Sequence, residues 1–250
     1  MGHGRGDADR WSDLDLVMFT QDRARYAEPG WLHTFGTVWL TYVGEAGLGD
    51  PEWFAIYEGG LKVDVVLLQV EGDIPDLKAL LGRYPYKNVF ARGVKVLFDR
   101  YGTAHSLSPD TIAASSSPSA VAFDQLVSEC LLESVTAAKF VARGDFWRAQ
   151  HWLAYDLRPQ LLKLIEWHAN GRDTWYDGRF IDSWADPRVL AALPQTFASC
   201  DRESLRSALK ALLALFWLLG EETAERFGYS YPASAHHKIA ELIDSVLSTV

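Results

Sequence analysis

Two aspartates stand at the start of an apolar stretch, in the run Trp11-Ser12-Asp13-Leu14-Asp15-Leu16 that leads into Val17-Met18-Phe19. In a β-strand, residues two apart point to the same face, so Asp13 and Asp15 would project side by side. Like charges held this close repel each other, and burial increases the cost. A cation between the carboxylates removes that cost, and hard oxygen ligands at the mouth of a sheet suit Mg²⁺ and a nucleoside triphosphate.

A third acid, Asp64, lies within the valine-rich run Leu61-Lys62-Val63-Asp64-Val65-Val66-Leu67-Leu68, whose residue types predict a strand. A lone carboxylate inside a buried strand is costly. If this strand lies beside the first one, Asp64 joins Asp13 and Asp15 around one cation cluster. In the alternative interpretation, Asp13 is a turn residue, Asp15 is half exposed and Asp64 faces solvent on an edge strand. Spacing alone favours the two interpretations about equally.

The first half of the chain is predicted to be a sheet with short helices. Strands are expected over 14–19, 38–43, 53–57, 61–68 and 94–99. Gly59-Gly60 predicts a hairpin that carries Asp64 back toward the first strand. A poor helix is expected over 22–34, broken at Pro29-Gly30, and a short helix over 73–82.

The second half of the chain is predicted to be helical. The Ser-, Pro- and Ala-rich segment 106–119 lacks periodicity and is predicted to be a linker. Helical spacing of apolar residues then predicts helices over 122–143, 145–169, 187–197, 201–227 and 234–247. Pro159 should kink or restart the second helix. We therefore predict an α+β protein, with a mixed-sheet domain over 1–110 and an all-helical domain over 119–250.

Composition restricts the partners of this protein. The formal net charge is -9, which argues against a nucleic-acid partner and suits a polycationic ligand, although plain solubility is the more common reason for such a charge. The longest apolar run, Ala211–Leu219, is shorter than the roughly 20 residues that span a bilayer. No signal-peptide pattern is present, so we expect a cytoplasmic protein, a monomer or homodimer, without a membrane partner. Cys130 and Cys200 are predicted to be buried thiols.

The run Arg5-Gly6-Asp7-Ala8-Asp9-Arg10-Trp11-Ser12-Asp13-Leu14-Asp15 resembles the signature of the polymerase-β-like nucleotidyltransferase superfamily. In that signature a Gly-Ser pair and a short loop precede Ser-Asp-x-Asp. Within the superfamily, the chain is similar to the aminoglycoside 6-adenylyltransferase (streptomycin adenylyltransferase) family over almost its whole length. The later segments that carry the resemblance are 31–36, 57–64, 158–162, 166–167 and 228–232.

The resemblance implies transfer of AMP from ATP to an aminoglycoside hydroxyl, dependent on Mg²⁺, in a cleft between an N-terminal nucleotidyltransferase domain and a C-terminal helical domain. Asp13, Asp15 and Asp64 would be the catalytic metal ligands. The other implied site residues contact the nucleotide or take the hydroxyl proton: Gly2, Arg5, Ser12 and Lys139 for the phosphates, and Glu129 for the proton. Glu133 and Asp64 are alternative bases, and Lys139 would otherwise simply cover its helix face.

One departure from the family pattern concerns the phosphate-binding turn. Without a gap, the Gly-Ser pair falls on Met1-Gly2, so we expect either an altered turn or a chain whose start lies further upstream. Two alternative functions stay open: transfer to another small molecule such as a lincosamide, or a catalytically impaired nucleotide-binding remnant, which the altered turn favours.

An acceptor site is predicted in the helical half, where the aromatic residues Trp175, Tyr176 and Trp184 would form its wall. Asp173, Asp177 and Asp182 would contact its amines; the alternative is that these aromatics are core or surface residues.

Overall fold

The computed structural model describes residues 8–71, 77, 80, 94–100, 102–104, 117–170 and 178–248. The chain divides into two compact units, Met1–Ala113 and Ala114–Val250. The first unit contains a β-sheet and short 3₁₀ helices, and the second is helical. This arrangement confirms the α+β class predicted from the sequence.

Four strands form one mixed sheet in the order β1-β4-β3-β2. Their bounds are Leu14–Thr20 for β1, Val38–Glu45 for β2, Pro51–Tyr57 for β3 and Lys62–Gln69 for β4. β1 runs parallel to β4, whereas the β2–β3 and β3–β4 pairs are antiparallel. The β3–β4 turn contains Gly59 and Gly60 with φ of 88° and 86°, a conformation that glycine adopts without strain.

The two faces of this sheet differ in chemistry. One face is an apolar core, because side chains alternate along β3 and β4. This core consists of Leu32, Trp53, Ala55, Tyr57, Val63, Val65 and Leu67. Two 3₁₀ helices, Arg23–Tyr26 and Pro29–Phe35, follow β1, and the second supplies Leu32, whose carbonyl accepts a hydrogen bond from the Tyr57 hydroxyl at 2.8 Å. The opposite face carries the polar residues described below and, further along β1 and β4, a smaller apolar cluster in which Leu68 is buried with Val17, Phe19 and Val66 packed around it.

The predicted strand over 94–99 is wrong, because residues 94–100 have no strand structure. Its apolar side chains, including Leu97 and Phe98, are exposed, and apolar β-forming residues make a strand only where a neighbouring strand or core receives them. Of the predicted helix over 73–82, Leu77 and Leu80 are described and are helical; the other residues from 73 to 82, and most of the predicted linker over 106–119, lie outside the described residues.

Seven α-helices are described in the second unit. They are α1 Ala120–Ala142, α2 Phe146–Trp152, α3 Arg158–His168, α4 Ile181–Trp184, α5 Pro187–Ala192, α6 Arg202–Phe227 and α7 Ala233–Ser248. A π-helical turn, Leu153–Leu157, joins α2 to α3, and the α-helix restarts at Arg158, directly before Pro159, in line with the predicted kink or restart at that proline. The N-caps Asp145 and Asp201 accept hydrogen bonds from backbone N–H groups three residues ahead.

The helical unit has its own core around α6, where Leu209, Leu212 and Phe216 are fully buried. Cys130 is buried as predicted, but the prediction for Cys200 is wrong because that thiol is exposed. Cys200 directly precedes the N-cap of α6, so it lies outside the apolar stripe that buries the helix residues. Among the described residues, no helix is long and apolar enough to cross a membrane.

Candidate active site

The strands that carry Asp15 and Asp64 are neighbours in the sheet. β1 and β4 pair in parallel with Asp15 directly opposite Asp64, so both side chains project from the same face. Asp15 is exposed, and the side chain of Asp64 is 14% exposed. Asp13 directly precedes β1, and its side chain is 51% exposed. The fold therefore brings two predicted site residues together and leaves the third at the mouth of the same pair of strands.

Lys62 is the cation found among these carboxylates. Its Nζ donates to Asp64 Oδ2 at 2.8 Å and lies 3.9 Å from Asp13 Oδ2. The hydrogen bond to Asp64 raises the pKa of Lys62, and the charges of the neighbouring aspartates add to this effect. Lys62 lies two residues before Asp64 on one strand, so the two side chains share a face. The lysine therefore neutralises part of the negative charge of the site.

Glu52 is a fourth carboxylate on this face that sequence reasoning missed. It opposes Val66 on β4, one diagonal step from Asp64, and diagonal neighbours on a sheet lie about 7–8 Å apart. Burial raises the pKa of Glu52, and the negative charge of Asp64 raises it further. Glu52 lies directly before the predicted strand 53–57, and β3 in fact begins at Pro51. The available signal was its spacing of two from Phe54, which places both side chains on the face of Asp64 once the register is known.

The donor set fits a hard divalent cation such as Mg²⁺, since it consists of carboxylate oxygens from two adjacent strands. Asp64 Oδ1 is buried and has no hydrogen-bond partner among the described residues. An orphaned carboxylate oxygen is costly unless a cation or donor reaches it. Within the described part of the chain, however, no three His, Cys, Asp or Glu side chains are arranged as a ready metal site. The residues are compatible with a cation, and Lys62 provides positive charge in this structure.

The described part of the loop before β1 is stabilised by its own polar groups. The Ser12 hydroxyl donates to Asp9 Oδ1 at 2.9 Å and accepts from the Asp9 backbone N–H at 2.9 Å. Hydrogen bonds from the Trp11 backbone and from Ser12 lower the pKa of Asp9. Ser12 is thus held in a turn that leads into β1. The other two predicted phosphate contacts, Gly2 and Arg5, lie outside the described residues.

The remaining predicted residues with catalytic roles lie on α1 of the helical unit. Lys139 and Glu129 are both exposed, so their charges are available to a ligand. Glu133 has a different role, because its Oε2 accepts a hydrogen bond from Trp152 Nε1 at 2.7 Å. This contact joins α1 to α2, so Glu133 has a structural partner within the helical unit, whereas Glu129 is exposed.

The predicted acceptor wall is only partly described. Trp175, Tyr176, Asp173 and Asp177 lie outside the described residues. Asp182 is exposed on α4, and Trp184 is partly buried. The Trp184 indole donates to the Arg179 carbonyl at 3.0 Å. Trp184 also packs against the core of the helical unit, which is the structural role that the sequence left open.

The architecture of this chain, a mixed sheet with acids on two neighbouring strands followed by a helical region, is that of a nucleotidyltransferase. The sequence model of the streptomycin adenylyltransferase family matches residues 5–246. The chain belongs to this family and is an enzyme of the nucleotidyltransferase class.

Two relatives support the assignment. The chain is 24% identical over 242 residues to the aminoglycoside 6-adenylyltransferase of Bacillus subtilis (strain 168). The alignment covers 90% of this chain and 81% of the relative. It also resembles the crystal structure of an aminoglycoside 6-adenyltransferase from Bacillus subtilis, with a TM-score of 0.50 and 20% identity. That likeness covers 94% of this chain and 88% of the solved chain, and it shows a common fold.

Proposed function

We propose that this enzyme transfers the AMP group of ATP, with Mg²⁺, to a hydroxyl of a streptomycin-like aminoglycoside. The observation that carries the proposal is the direct pairing of Asp15 with Asp64 on parallel strands, together with the orphaned buried oxygen of Asp64. Family membership provides the class of reaction. The net charge of -9 suits an acceptor that carries several positive charges.

Asp13, Asp15 and Asp64 are the residues that would hold Mg²⁺. An ion held there would supply positive charge to offset the negative charge that develops on the leaving pyrophosphate. The chain contributes positioning: the β1–β4 register fixes Asp15 against Asp64, and Asp13 extends from the residue directly before β1. Because the paired acids belong to adjacent strands, their separation does not depend on a flexible loop.

In the proposed reaction, the acceptor hydroxyl oxygen forms a bond to the α-phosphorus, and the bond from that phosphorus to the bridging oxygen of pyrophosphate breaks. The hydroxyl proton moves to a carboxylate. We assign this carboxylate to Glu129, with Asp64 as the alternative. Lys139 contributes an exposed ammonium for the triphosphate, and Gly2, Arg5 and Ser12 form the proposed phosphate loop.

The test is incubation of the purified chain with ATP, Mg²⁺ and streptomycin, with measurement of pyrophosphate release and of drug modified by one AMP. We expect activity in the wild type, and losses of at least about 100-fold in kcat/KM for Asp15→Asn and Asp64→Asn, because removal of a metal ligand affects several kcal/mol of transition-state stabilisation. Asp244→Asn is the matched control, since Asp244 is an exposed carboxylate of α7 paired with Lys210 at 2.7 Å. Full activity in Asp15→Asn would refute the assigned role.

A second candidate, nucleotide binding without transfer, is favoured by the contact of Lys62 with Asp64 at 2.8 Å, in which an ammonium occupies a proposed metal ligand. This candidate predicts that ATP with Mg²⁺ stabilises the protein against heat while no acceptor is modified. A panel of acceptors that includes a lincosamide separates this outcome from transfer to a different small molecule.

A further inference from the structure

Lys62 occupies a position that the proposed reaction does not use. It is the first residue of β4, two residues from Asp64 and opposite Ile56 of β3. The β3–β4 turn with its two glycines delivers it to the face of the acids. Its ammonium also lies 5.6 Å from the centre of the Phe54 ring. The side chain is therefore placed on the sheet face by the strand register and by two kinds of contact.

The contacts of Lys62 differ from those of an ordinary surface lysine. Its Nζ lies between a carboxylate of β4, 2.8 Å away, and Asp13 at the start of β1, 3.9 Å away. Exposed pairs are weak and easily exchanged, and the Lys62 side chain is 44% exposed. The ammonium can thus hold these carboxylates together and can also leave them when another cation arrives.

A divalent cation and Lys62 compete for the same negative charge. The cation requires oxygens of Asp64 and Asp13, and the nearby ammonium repels it. A nucleotide changes this balance, because its phosphates offer Lys62 a new negative partner while the metal takes the carboxylates. Whether Lys62 or the metal occupies the carboxylates therefore depends on whether the metal arrives by itself or with a triphosphate.

We propose that Lys62 is a positioning residue that occupies the carboxylates until a metal–nucleotide complex displaces it onto the phosphates, so that the site selects metal-bound ATP over the metal alone. This inference rests on the proposed function, because it takes Asp13, Asp15 and Asp64 as the metal ligands. Lys62 acts first through Asp64 and only then on the nucleotide.

The test measures binding and not turnover. Mn²⁺ binding is followed by electron paramagnetic resonance, first with Mn²⁺ alone and then with α,β-methylene-ATP, which resists cleavage at the α-phosphorus. For Lys62→Met we expect Mn²⁺ alone to bind at least about fivefold more tightly, since the ammonium that lies among the carboxylates and repels a divalent cation is lost. We expect binding of Mn²⁺ with the analogue to weaken by about the same factor. These two shifts have opposite signs, which a general loss of structure does not produce.

Two further variants separate charge from shape. Lys62→Arg keeps the positive charge and should resemble the wild type in both titrations. Lys210→Met removes a different exposed lysine, paired with Asp244 at 2.7 Å, and should change neither. Shifts of the same sign in Lys62→Met, no shift at all, or a Lys62→Arg variant that resembles Lys62→Met would each overturn the inference.

The same titrations distinguish failure of this inference from failure of the proposed function. If the wild type binds Mn²⁺ and Asp15→Asn does not, the metal site stands and only the role of Lys62 is tested by the variants above. If the wild type does not bind Mn²⁺ under either condition, or if Asp15→Asn binds it equally well, the proposed metal site is wrong and the role of Lys62 is wrong with it.

Discussion

Glu222 of α6 connects three helices through its carboxylate. Its Oε1 accepts from Arg188 Nη1 at 2.7 Å, and its Oε2 accepts from Arg188 Nη2 at 2.9 Å. Oε2 also lies 2.7 Å from Nε2 of His168, the buried last residue of α3. Arg188 belongs to α5 and also pairs with Asp186 at 2.9 Å. Replacing Glu222 by Gln keeps the shape of the side chain and removes the charge that this network needs.

The structure sets the size of the expected effect. The hydrogen bonds from Arg188 lower the pKa of Glu222 from 4.5 to about 2. One pKa unit corresponds to about 1.4 kcal/mol, which gives an upper limit of roughly 3 kcal/mol. The Glu222 side chain is 32% exposed, and solvent screening reduces the value of such pairs. We expect Glu222→Gln to lower the free energy of unfolding by about 1 kcal/mol at pH 7.

The pH dependence gives this prediction its sign. A carboxyl with a lowered pKa in the folded state contributes stability above its unfolded pKa and loses it as the pH falls toward the folded value. For Glu222 this window runs from 4.5 down to about 2. The difference in stability between wild type and Glu222→Gln should therefore be full at pH 7 and smaller at pH 3.

Urea unfolding followed by circular dichroism at pH 7, 5, 4 and 3 measures this difference. Glu225→Gln is the control, since Glu225 is an exposed acid of the same helix, and it should change stability little at any pH. A difference for Glu222→Gln that stays constant from pH 7 to pH 3, or that is zero at pH 7, would refute the reasoning.

Two further predictions concern the helical unit. Gly220→Ala should destabilise the protein by about 1–3 kcal/mol in urea unfolding, because an added methyl group would overlap the ring of Tyr231. Gly30→Ala is the control and should not destabilise the protein, because its methyl group meets no atom within 4 Å. Equal stability of the two variants would contradict the packing argument. A thiol reagent should label Cys200 in the folded protein and reach Cys130 only after unfolding, since the first is exposed and the second is buried with a pKa raised by burial; mass spectrometry that finds Cys130 labelled first would show the assignment to be wrong.

Local sequence signals sufficed where the structure depends on near neighbours. The caps Asp145 and Asp201, the restart at Pro159 and the β3–β4 hairpin were all predictable from residues a few positions apart. The exposure of Cys200 was not predictable in this way, because it depends on the thiol lying just outside the apolar stripe of α6. Helix starts and turns are decided by short-range hydrogen bonds and backbone preferences, which the sequence contains directly.

The sequence by itself determined which residues could perform chemistry: a pair of acids at the start of one strand and a single acid inside another. Only the tertiary structure decided that β4 lies parallel to β1 with Asp15 opposite Asp64, that Glu52 shares their face and that Lys62 lies between the acids. The physical reason is that strand order and register are set by packing between segments far apart in the chain. A pattern of residues within one segment contains no information about which other segment will lie beside it.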